Sequence, residues 1–471
     1  MLRIIFFLLI ATPLFAQTIE TAPVFSLEKY LKWVRTYHPV MLQSNLLKGK
    51  ADASLLEARG VFDPKWFGEY EDKSFDQKNY FRIGEAGLKI PTWWGVDVKM
   101  AYLWSNGDFL NSEGTLPKNG QAVLGLEVPL LQGLVFDQRR AQVRQAQLLE
   151  KGNEATRKVI VNELLLKAIE AYWVWAFQNQ MLQVYENSLN LAEDRFQLVK
   201  SSFLQGDKPA IDTLESLIQI QNRKLQLSEV RVEFRNAALF LSNFLWFEDL
   251  TPVEVSEELR PESLEADWNF LEEKPSPEFL NSISETHPEL QSILVKQQQL
   301  DIKERLKREQ FKPNLRFNYN FLGSGFDLTD DASTQSDVNA LVTENYKWGV
   351  QLSYPLLLRK ERGGLELVKI EQLENQYKFG EKQLTIANKI NAIYQQLEMV
   401  FGQTIILASM VVNYEVLLAA EFEMFDIGES SIFLINTREQ KLIDSQMKLN
   451  KLQSEYQKLK WKLRSAKGLL L

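Results

Sequence analysis

The chain of 471 residues is 45% apolar and 25% charged, which is typical of a folded protein and excludes a disordered one. Its mean hydropathy of -0.24 excludes a polytopic helical membrane protein. A net charge of -8 lacks the basic surplus of a general nucleic-acid-binding protein, and with no cysteine and two histidines the chain cannot build disulfides, cysteine-ligated metal sites or a histidine-rich metal site.

The first residues have the pattern of a secretory signal. Arg3 supplies a positive start, residues 4–10 form a short apolar run, and Ala16 is a small residue suited to cleavage. We therefore predict a signal peptide over residues 1–16 and an exported mature protein. We expect charges to interrupt every later apolar stretch, so that any membrane-embedded part must consist of strands.

Alternation of apolar and polar residues predicts strands in the first half of the chain. One stretch covers residues 94–104 and another covers residues 121–128. Two further strand-like segments, Trp66–Tyr70 and Tyr80–Ile90, precede them. This extra pair either widens the same sheet, folds as a plug or rim, or extends only part of a strand.

Four long stretches lack proline and are rich in good helix formers. Because proline costs about 3 kcal/mol inside a helix, each stretch can be one continuous helix. We predict helices over residues 137–205, 210–247, 361–427 and 430–467. Apolar residues from Leu182 to Phe203 alternate spacings of three and four, which favours coiled-coil packing. An ordinary helical-bundle core gives a similar pattern.

The second half carries a matching set of alternating segments over residues 314–321 and 346–354. One face of the predicted strands is apolar with aromatic ends and the other is polar, as in transmembrane β-barrels, although a soluble sandwich alternates in the same way. The candidate lipid-facing residues are Trp94, Val96, Val98, Tyr102, Trp104, Phe317, Tyr319, Phe321, Tyr346, Trp348 and Val350. Residues 106–120 and 323–345 are polar connections. Four strands per chain cannot close a membrane barrel, so closure requires several copies.

Two halves of the chain repeat the same order of signals. Phe203-x-x-Gly206 matches Phe425-x-x-Gly428, and His38-Pro matches His287-Pro. We predict an internal structural repeat, with a first unit over residues 17–247, an equatorial linker over 248–280 and a second unit over 281–471. Each His-Pro pair predicts a helix entry or a turn rather than a ligand site.

This order of strands, long helix, glycine turn and shorter helix, given twice, resembles the TolC-type outer-membrane efflux proteins. The turn motifs that carry the resemblance are Phe203-Leu-Gln-Gly206 and Phe425-Asp-Ile-Gly428. It implies a mainly α fold with β, in which very long coiled-coil helices form an α-barrel and a homotrimer shares one transmembrane β-barrel. It also implies an outer-membrane location with helices extending into the periplasm, and docking to a periplasmic adaptor and an inner-membrane pump. The family usually has two barrel strands per half, so the extra pair departs from it.

The resemblance places candidate adaptor-docking tips at the two glycine turns. They comprise Gly206, Asp207, Lys208, Gly428, Glu429, Ser430 and Ser431. A glycine that ends a helix needs no partner, so both turns also have a purely structural explanation. Family members often carry acids at positions just after the second glycine where this chain has Ser430, Leu434, Asn436 and Thr437. We therefore name Asp212, Leu434 and Thr437 as candidates for a constriction.

The sequence contains no phosphate-binding loop, no His-Glu-x-x-His and no Gly-x-Ser-x-Gly motif. We therefore expect no enzyme and no cofactor. The favoured function is the outer-membrane channel of a tripartite efflux or type I secretion system, a passive trimeric duct. The alternatives are an exported periplasmic coiled-coil scaffold without a pore and, less favoured, an exported hydrolase.

Overall fold

A computed structural model describes residues 24–256, 258–264, 273–324 and 345–470. The predicted signal peptide and most of the polar connection 323–345 lie outside the described residues. The described helices are α1 Leu27–Tyr37, α2 Pro39–Arg59, α3 Gln138–Gln205, α4 Ala210–Ser242, α5 Pro277–Thr286, α6 Pro288–Glu309, α7 Arg359–Asp426 and α8 Ile432–Ala466. The described strands are β1 Val24–Phe25, β2 Lys65–Phe75, β3 Lys78–Pro91, β4 Asp97–Asn106, β5 Gln121–Pro129, β6 Arg260–Pro261, β7 Asn314–Ser324 and β8 Tyr346–Ser353.

The predicted long helices are confirmed. Helices α3 and α7 have 68 residues each, which corresponds to about 100 Å at 1.5 Å per residue. Helix α4 ends at Ser242, short of the predicted residue 247, because the chain turns there and Trp246 bridges to Pro252. The indole of Trp33 donates a hydrogen bond to the carbonyl of Trp246 at 2.7 Å and fixes this turn.

Most of the predicted apolar stripe of α3 is buried. Leu182, Tyr185, Ala192 and Val199 are buried, whereas Phe203 at the end of the helix is 39% exposed. Buried apolar residues at alternating spacings of three and four are the geometry of helix packing along one seam. The stripe therefore provides the packing surface that the sequence predicts.

The chain divides into two compact units. The first comprises residues Met1–Met41, Leu164–Glu273 and Ile393–Lys462. In it the ring of Tyr30 stacks on Tyr172 with centroids 5.6 Å apart. The hydroxyl of Tyr172 donates to the carbonyl of Phe25 at 2.8 Å and accepts from the backbone N–H of Glu262 at 3.1 Å. This hydroxyl thereby holds the parallel pair of β1 and β6 on the helices.

The second unit comprises Leu42–Glu163, Lys274–Ala392 and Leu463–Leu471. It contains an antiparallel six-stranded sheet in the order β2-β3-β4-β5-β7-β8. The two extra strand-like segments are strands β2 and β3 of this sheet. Among the alternatives left open by the sequence, the structure therefore shows a pair of full strands in the main sheet.

The predicted strand start at Trp94 is wrong. Strand β4 begins at Asp97, so Trp94 and Val96 lie in the turn between β3 and β4. Gly95 has a φ of 89° there, a left-handed conformation that interrupts an extended strand. The backbone N–H of Gly95 donates to the carbonyl of Thr92 at 3.2 Å and closes the turn.

An aspartate joins the sheet to the long helix α3. The carboxylate of Asp137 accepts a hydrogen bond from the backbone N–H of Arg140 at 2.9 Å, as an N-cap does. The guanidinium of Arg139 contacts Asp137 at 3.0 Å and Asp97 at the start of β4 at 2.7 Å. Arg140 also donates to the carbonyl of Val135 at 2.9 Å, so the connection is held from both sides.

Both His-Pro pairs are helix entries, as predicted. The Nδ1 atom of His38 accepts from the backbone N–H of Val40 at 3.1 Å, and that of His287 accepts from Glu289 at 3.3 Å. Each imidazole thus caps the first turn of a helix, α2 or α6. Burial lowers the pKa of both imidazoles and favours the neutral form that accepts these bonds.

Candidate functional site

The two glycine turns have the same geometry. Gly206 and Gly428 have φ values of 90° and 82°. Asp207 donates its N–H to the carbonyl of Ser202 at 2.9 Å, and Gly206 donates to Phe203 at 3.0 Å. The second turn repeats both bonds, with Gly428 donating to Phe425 at 3.1 Å. This is the Schellman motif, in which a left-handed glycine satisfies the last carbonyls of a helix.

A side-chain contact connects the two turns. The ammonium of Lys208 lies 4.1 Å from the ring centroid of Phe425, within cation–π distance. Lys208 follows Gly206, and Phe425 precedes Gly428, so the structure brings the two predicted tips together. A lysine over an aromatic face is worth about 0.5–1 kcal/mol at an exposed site.

The remaining tip residues are exposed or serve the helix ends. Asp207, Glu429 and Ser431 are exposed, whereas Ser430 is half-buried. The hydroxyl of Ser430 donates to the carboxylate of Glu421, and that carboxylate also pairs with Arg438 at 3.4 Å. Ser431 accepts from the N–H of Leu434 at the start of α8. The second turn is therefore tied to both of its helices.

The candidate constriction residues have different surroundings. Asp212 is half-buried in the first turn of α4, and its carbonyl accepts from the hydroxyl of Ser216 at 2.8 Å. Leu434 and Thr437 are exposed on α8. Thr437 lines a cleft of about 400 Å³ between α4 and α8, whereas Asp212 and Leu434 are not among its lining residues. Their role in a constriction stays a prediction.

Sequence reasoning missed a buried charge cluster formed by Arg195, Arg223 and Glu439. The Arg195 Nη1 atom lies 2.9 Å from a carboxylate oxygen of Glu439, and the Arg223 Nη2 atom lies 3.8 Å from the same oxygen. The three side chains are exposed by 9%, 1% and 4%. They come from α3, α4 and α8, so this charge cluster connects three helices.

Two arginines share one carboxylate in the charge cluster. Burial lowers the pKa of Arg223, and Glu439 opposes that effect. Nη1 of Arg223 donates to the side-chain carbonyl of Gln440 at 2.8 Å, but its Nε has no hydrogen-bond partner among the described residues. Arg195 also lies 5.5 Å from the ring centroid of Phe422 on α7. The unequal charge count makes Glu439 the residue on which the cluster depends.

One sequence signal could have located the charge cluster. Arg195 stands three residues after Ala192 and four before Val199, both of which are buried in the stripe of α3. A charged residue inside an apolar stripe is buried only when it is paired. The identity of its partner is a tertiary fact, because Glu439 lies 244 residues away in the sequence.

The sheet has one apolar and one charged face. Pairing places Phe317 opposite Val350, Tyr319 opposite Trp348 and Phe321 opposite Tyr346, all on the same face. Trp348, Val350 and Tyr346 are 59%, 54% and 50% exposed. Val98, Tyr102 and Trp104 of β4 continue this apolar face through β5. The opposite face carries ion pairs such as Arg316 with Glu127 at 2.8 Å.

The expectation that charges interrupt every apolar stretch is wrong for α7. By length and composition, this helix is long and apolar enough to cross a membrane. A segment of 18 residues within it has a mean hydropathy of 1.7, and only 6% of that segment is buried. Residues 399–414 contain no charged side chain. Exposed apolar residues of α7 include Ile406 at 64% within this stretch and Val416 at 66% just after Glu415. An exposed apolar surface of this kind is typical of a protein or membrane interface.

Solved structures resemble most of the chain. The Campylobacter jejuni outer-membrane channel CmeC matches with a TM-score of 0.62 and 13% identity, over 94% of this chain and 85% of CmeC. CusC, described by its transmembrane channel formation, matches at 0.65 and 11%, over 94% and 91%. The open state of the Neisseria gonorrhoeae outer-membrane channel MtrE matches at 0.64 and 12%, over 94% and 88%. The protein has the fold of TolC-type outer-membrane efflux channels.

No protein-family model and no curated protein matches the chain. The TolC-type fold is therefore evident from the arrangement of the helices and strands and not from sequence identity. The six-stranded sheet and the charge cluster are features of this chain's own residues within that fold. In the described part of the chain, no group of three or more Asp, Glu or His side chains is placed to hold a metal ion.

Proposed function

We propose that this protein is an outer-membrane channel formed by three copies of the chain, through which solutes pass passively. The observation that carries the proposal is the sheet. One of its faces is apolar and exposed, the other is charged, and β2 and β8 at its edges have no further pairing strand among the described residues of one chain. Such a sheet cannot remain open in lipid, because each unsatisfied backbone group costs several kcal/mol there.

Association of copies would also cover the exposed apolar stretch of α7. Ile406 and Val416 are too exposed to belong to the core of one chain. Helix α7 belongs to a chain whose fold resembles that of outer-membrane channels. We therefore favour the interpretation that helices of neighbouring copies cover its apolar surface, rather than lipid. We propose that the copies form an α-helical tunnel in the periplasm and share one β-barrel in the outer membrane.

The glycine turns are the proposed docking tips for a periplasmic adaptor, which would connect the channel to an inner-membrane pump. Support comes from the exposure of Asp207, Glu429 and Ser431 and from the contact between Lys208 and Phe425. We propose that the charge cluster holds α3, α4 and α8 in one of two packing arrangements and that opening separates them. Energy would come from the pump, because the proposed channel performs no chemistry.

Membrane fractionation and planar-bilayer recording test the proposal. The expected results are recovery in the outer membrane, a trimeric mass in detergent and discrete conductance steps from the purified protein. Extraction without detergent, together with a monomeric mass, would instead support the exported coiled-coil scaffold. An efflux channel and a type I secretion channel would share these results, because substrate choice lies with the pump.

A further inference from the structure

The extra strands β2 and β3 continue both faces of the sheet. A row across the apolar face takes one residue from every strand: Trp66, Leu88, Met100, Leu124, Phe321 and Tyr346. The next row, on the other face, is Lys65, Lys89, Lys99, Gly125, Asn320 and Lys347. In these two rows the alternation is in phase over all six strands. Farther along β2 and β3, the ion pair of Asp72 with Arg82 lies on the apolar face.

The two edges of the sheet are suited to each other. Each strand is antiparallel to its neighbour, so β8 runs opposite to β2. A second copy placed beside the first would therefore present its β2 to β8 in the antiparallel direction. Strand β2 has 11 residues, and its outer edge has no pairing strand in the part of the chain that the structure describes. Natural proteins rarely leave so long an edge uncovered.

Chain geometry selects a register for this pairing. The ladder between β2 and β3 is regular from Lys65 to Lys73 and shifts between Lys73 and Ser74. The eight residues of β8 fit the regular segment when Tyr346 lies opposite Asp72 and Ser353 lies opposite Lys65. In this register Trp348 lies opposite Tyr70 and Leu352 lies opposite Trp66, whereas Tyr346 faces Asp72, whose carboxylate accepts a hydrogen bond from Arg82 of β3.

The charged face supports the same register. Lys347 of one copy faces Glu71 of the next, and neither residue has an ion pair among the described contacts of a single chain. A shift by two residues in one direction would place Lys347 opposite Lys73, and like charges directly opposite are destabilising. A shift in the other direction would carry the end of β8 past Lys65, beyond the start of β2.

The resulting stagger is that of a membrane barrel. The row that starts at Trp66 arrives at Tyr346 after six strands and continues at Asp72 of the next copy, a stagger of one residue per strand. With a rise of about 3.4 Å per residue and strands about 4.8 Å apart, this gives a tilt of about 35°. Transmembrane barrels tilt by about 35–45°.

We propose that β8 of each copy pairs with β2 of the next, and that three copies close an 18-stranded barrel with six strands from each. This inference rests on the proposed trimeric channel. Four strands per copy would give a narrower barrel, and since barrel diameter grows roughly linearly with strand number, the extra hairpin widens it about one and a half times. The partner is a second copy of this chain, recognised by strand addition.

A cysteine pair tests the inter-copy register, because the natural chain contains no cysteine. The variant Glu71→Cys with Lys347→Cys is purified from membranes and treated with a short bismaleimide. We expect covalent trimers on a denaturing gel. The matched control, Lys65→Cys with Lys347→Cys, places the thiols on the same face but about 20 Å apart along the strand, so it should yield at least tenfold less cross-linked product.

The outcomes separate the two proposals. A trimeric, conducting protein in which Glu71→Cys and Lys347→Cys do not cross-link would overturn the 18-stranded barrel and leave the channel intact. A monomeric protein outside the membrane would overturn both.

A charge exchange gives a second measurement: Lys347→Glu should reduce the yield of heat-resistant trimer, and adding Glu71→Lys should restore it. Failure of the exchange to restore the trimer would contradict the register.

Discussion

At the residue scale, small groups hold the helix ends in place. Gly206 and Gly428 end the long helices, while His38 and His287 begin shorter ones. These positions were predictable because a left-handed glycine and a residue before proline are local signals. Their effects can be measured by single substitutions.

The two histidines predict a pH dependence of stability. Burial lowers their pKa values in the folded state, so the unfolded state binds more protons as the pH falls below about 6.5. The stabilisation is present above that pH and is lost on acidification toward the folded-state pKa values. We expect the melting temperature to fall between pH 7 and 5.

The double variant His38→Asn with His287→Asn should show a flatter profile in the same range, since Asn can cap a helix without titrating. With no other histidine in the chain, this range isolates the two caps. An unchanged slope in the double variant would contradict the assignment.

Alanine substitutions at a turn glycine and at a helix-interior glycine should change the stability of the protein in opposite directions. Gly206→Ala should destabilise the protein by about 1–2 kcal/mol, because the left-handed conformation is unfavourable for alanine although space is available. Gly380→Ala is the matched control inside α7, where a Cβ also meets nothing within 4 Å. It should stabilise the helix by about 0.5–1 kcal/mol. Chemical denaturation of both variants measures the difference, and equal signs would contradict the argument.

At the scale of elements, the charge cluster connects α3, α4 and α8. The helices themselves follow from sequence, since proline-free stretches with apolar periodicity predict them within a few residues. The pairing of Arg195 and Arg223 with Glu439 does not, because it depends on how three distant segments are brought together. Likewise, the alternation of residues 94–104 predicted a strand but overlooked Gly95, whose positive φ interrupts it.

Removing the shared carboxylate should weaken the helix contacts. Glu439→Gln leaves two buried guanidinium groups without the carboxylate that they share, and breaking a buried ion pair typically costs about 3–5 kcal/mol. Glu193→Gln breaks the exposed pair with Lys224 and should cost no more than about 1 kcal/mol. Denaturant unfolding compares the two variants, and bilayer recordings should show a higher open probability for Glu439→Gln. Similar stability losses in both variants would mean that the charge cluster does not stabilise the packing of α3, α4 and α8.

At the scale of the whole molecule, the sequence predicted that the strands of one copy cannot close a membrane barrel. The apolar strand faces and the long helices were local patterns, and the sheet edges and the exposed stretch of α7 are what those patterns leave uncovered. The number of strands in the sheet was not predictable, because the residues of the extra segments fit a plug as well as a pair of full strands. The pairing of β3 with β4 shows that the extra segments belong to the sheet.

Charge on the exposed stretch of α7 should disturb the proposed trimer. We expect Ile406→Lys with Val416→Lys to reduce the trimer fraction in detergent by at least tenfold, because lysine is poorly tolerated in an apolar helix interface. Gln376→Lys, at an exposed position of the same helix, is the control and should leave the trimer intact. Mass measurement in detergent reports the result; a double variant that remains trimeric would place this stretch away from the interface.

The contact of Lys208 with Phe425 affects how the two turns respond to the surrounding solution. The contact of the Lys208 ammonium with the Phe425 ring involves no carboxylate, unlike the ion pairs elsewhere in the chain. The contact is also short, so dissolved salt screens it less than it screens charges that are farther apart on the surface. At about 0.5–1 kcal/mol for an exposed site, the contact favours the joined turns in salt solution without fixing them.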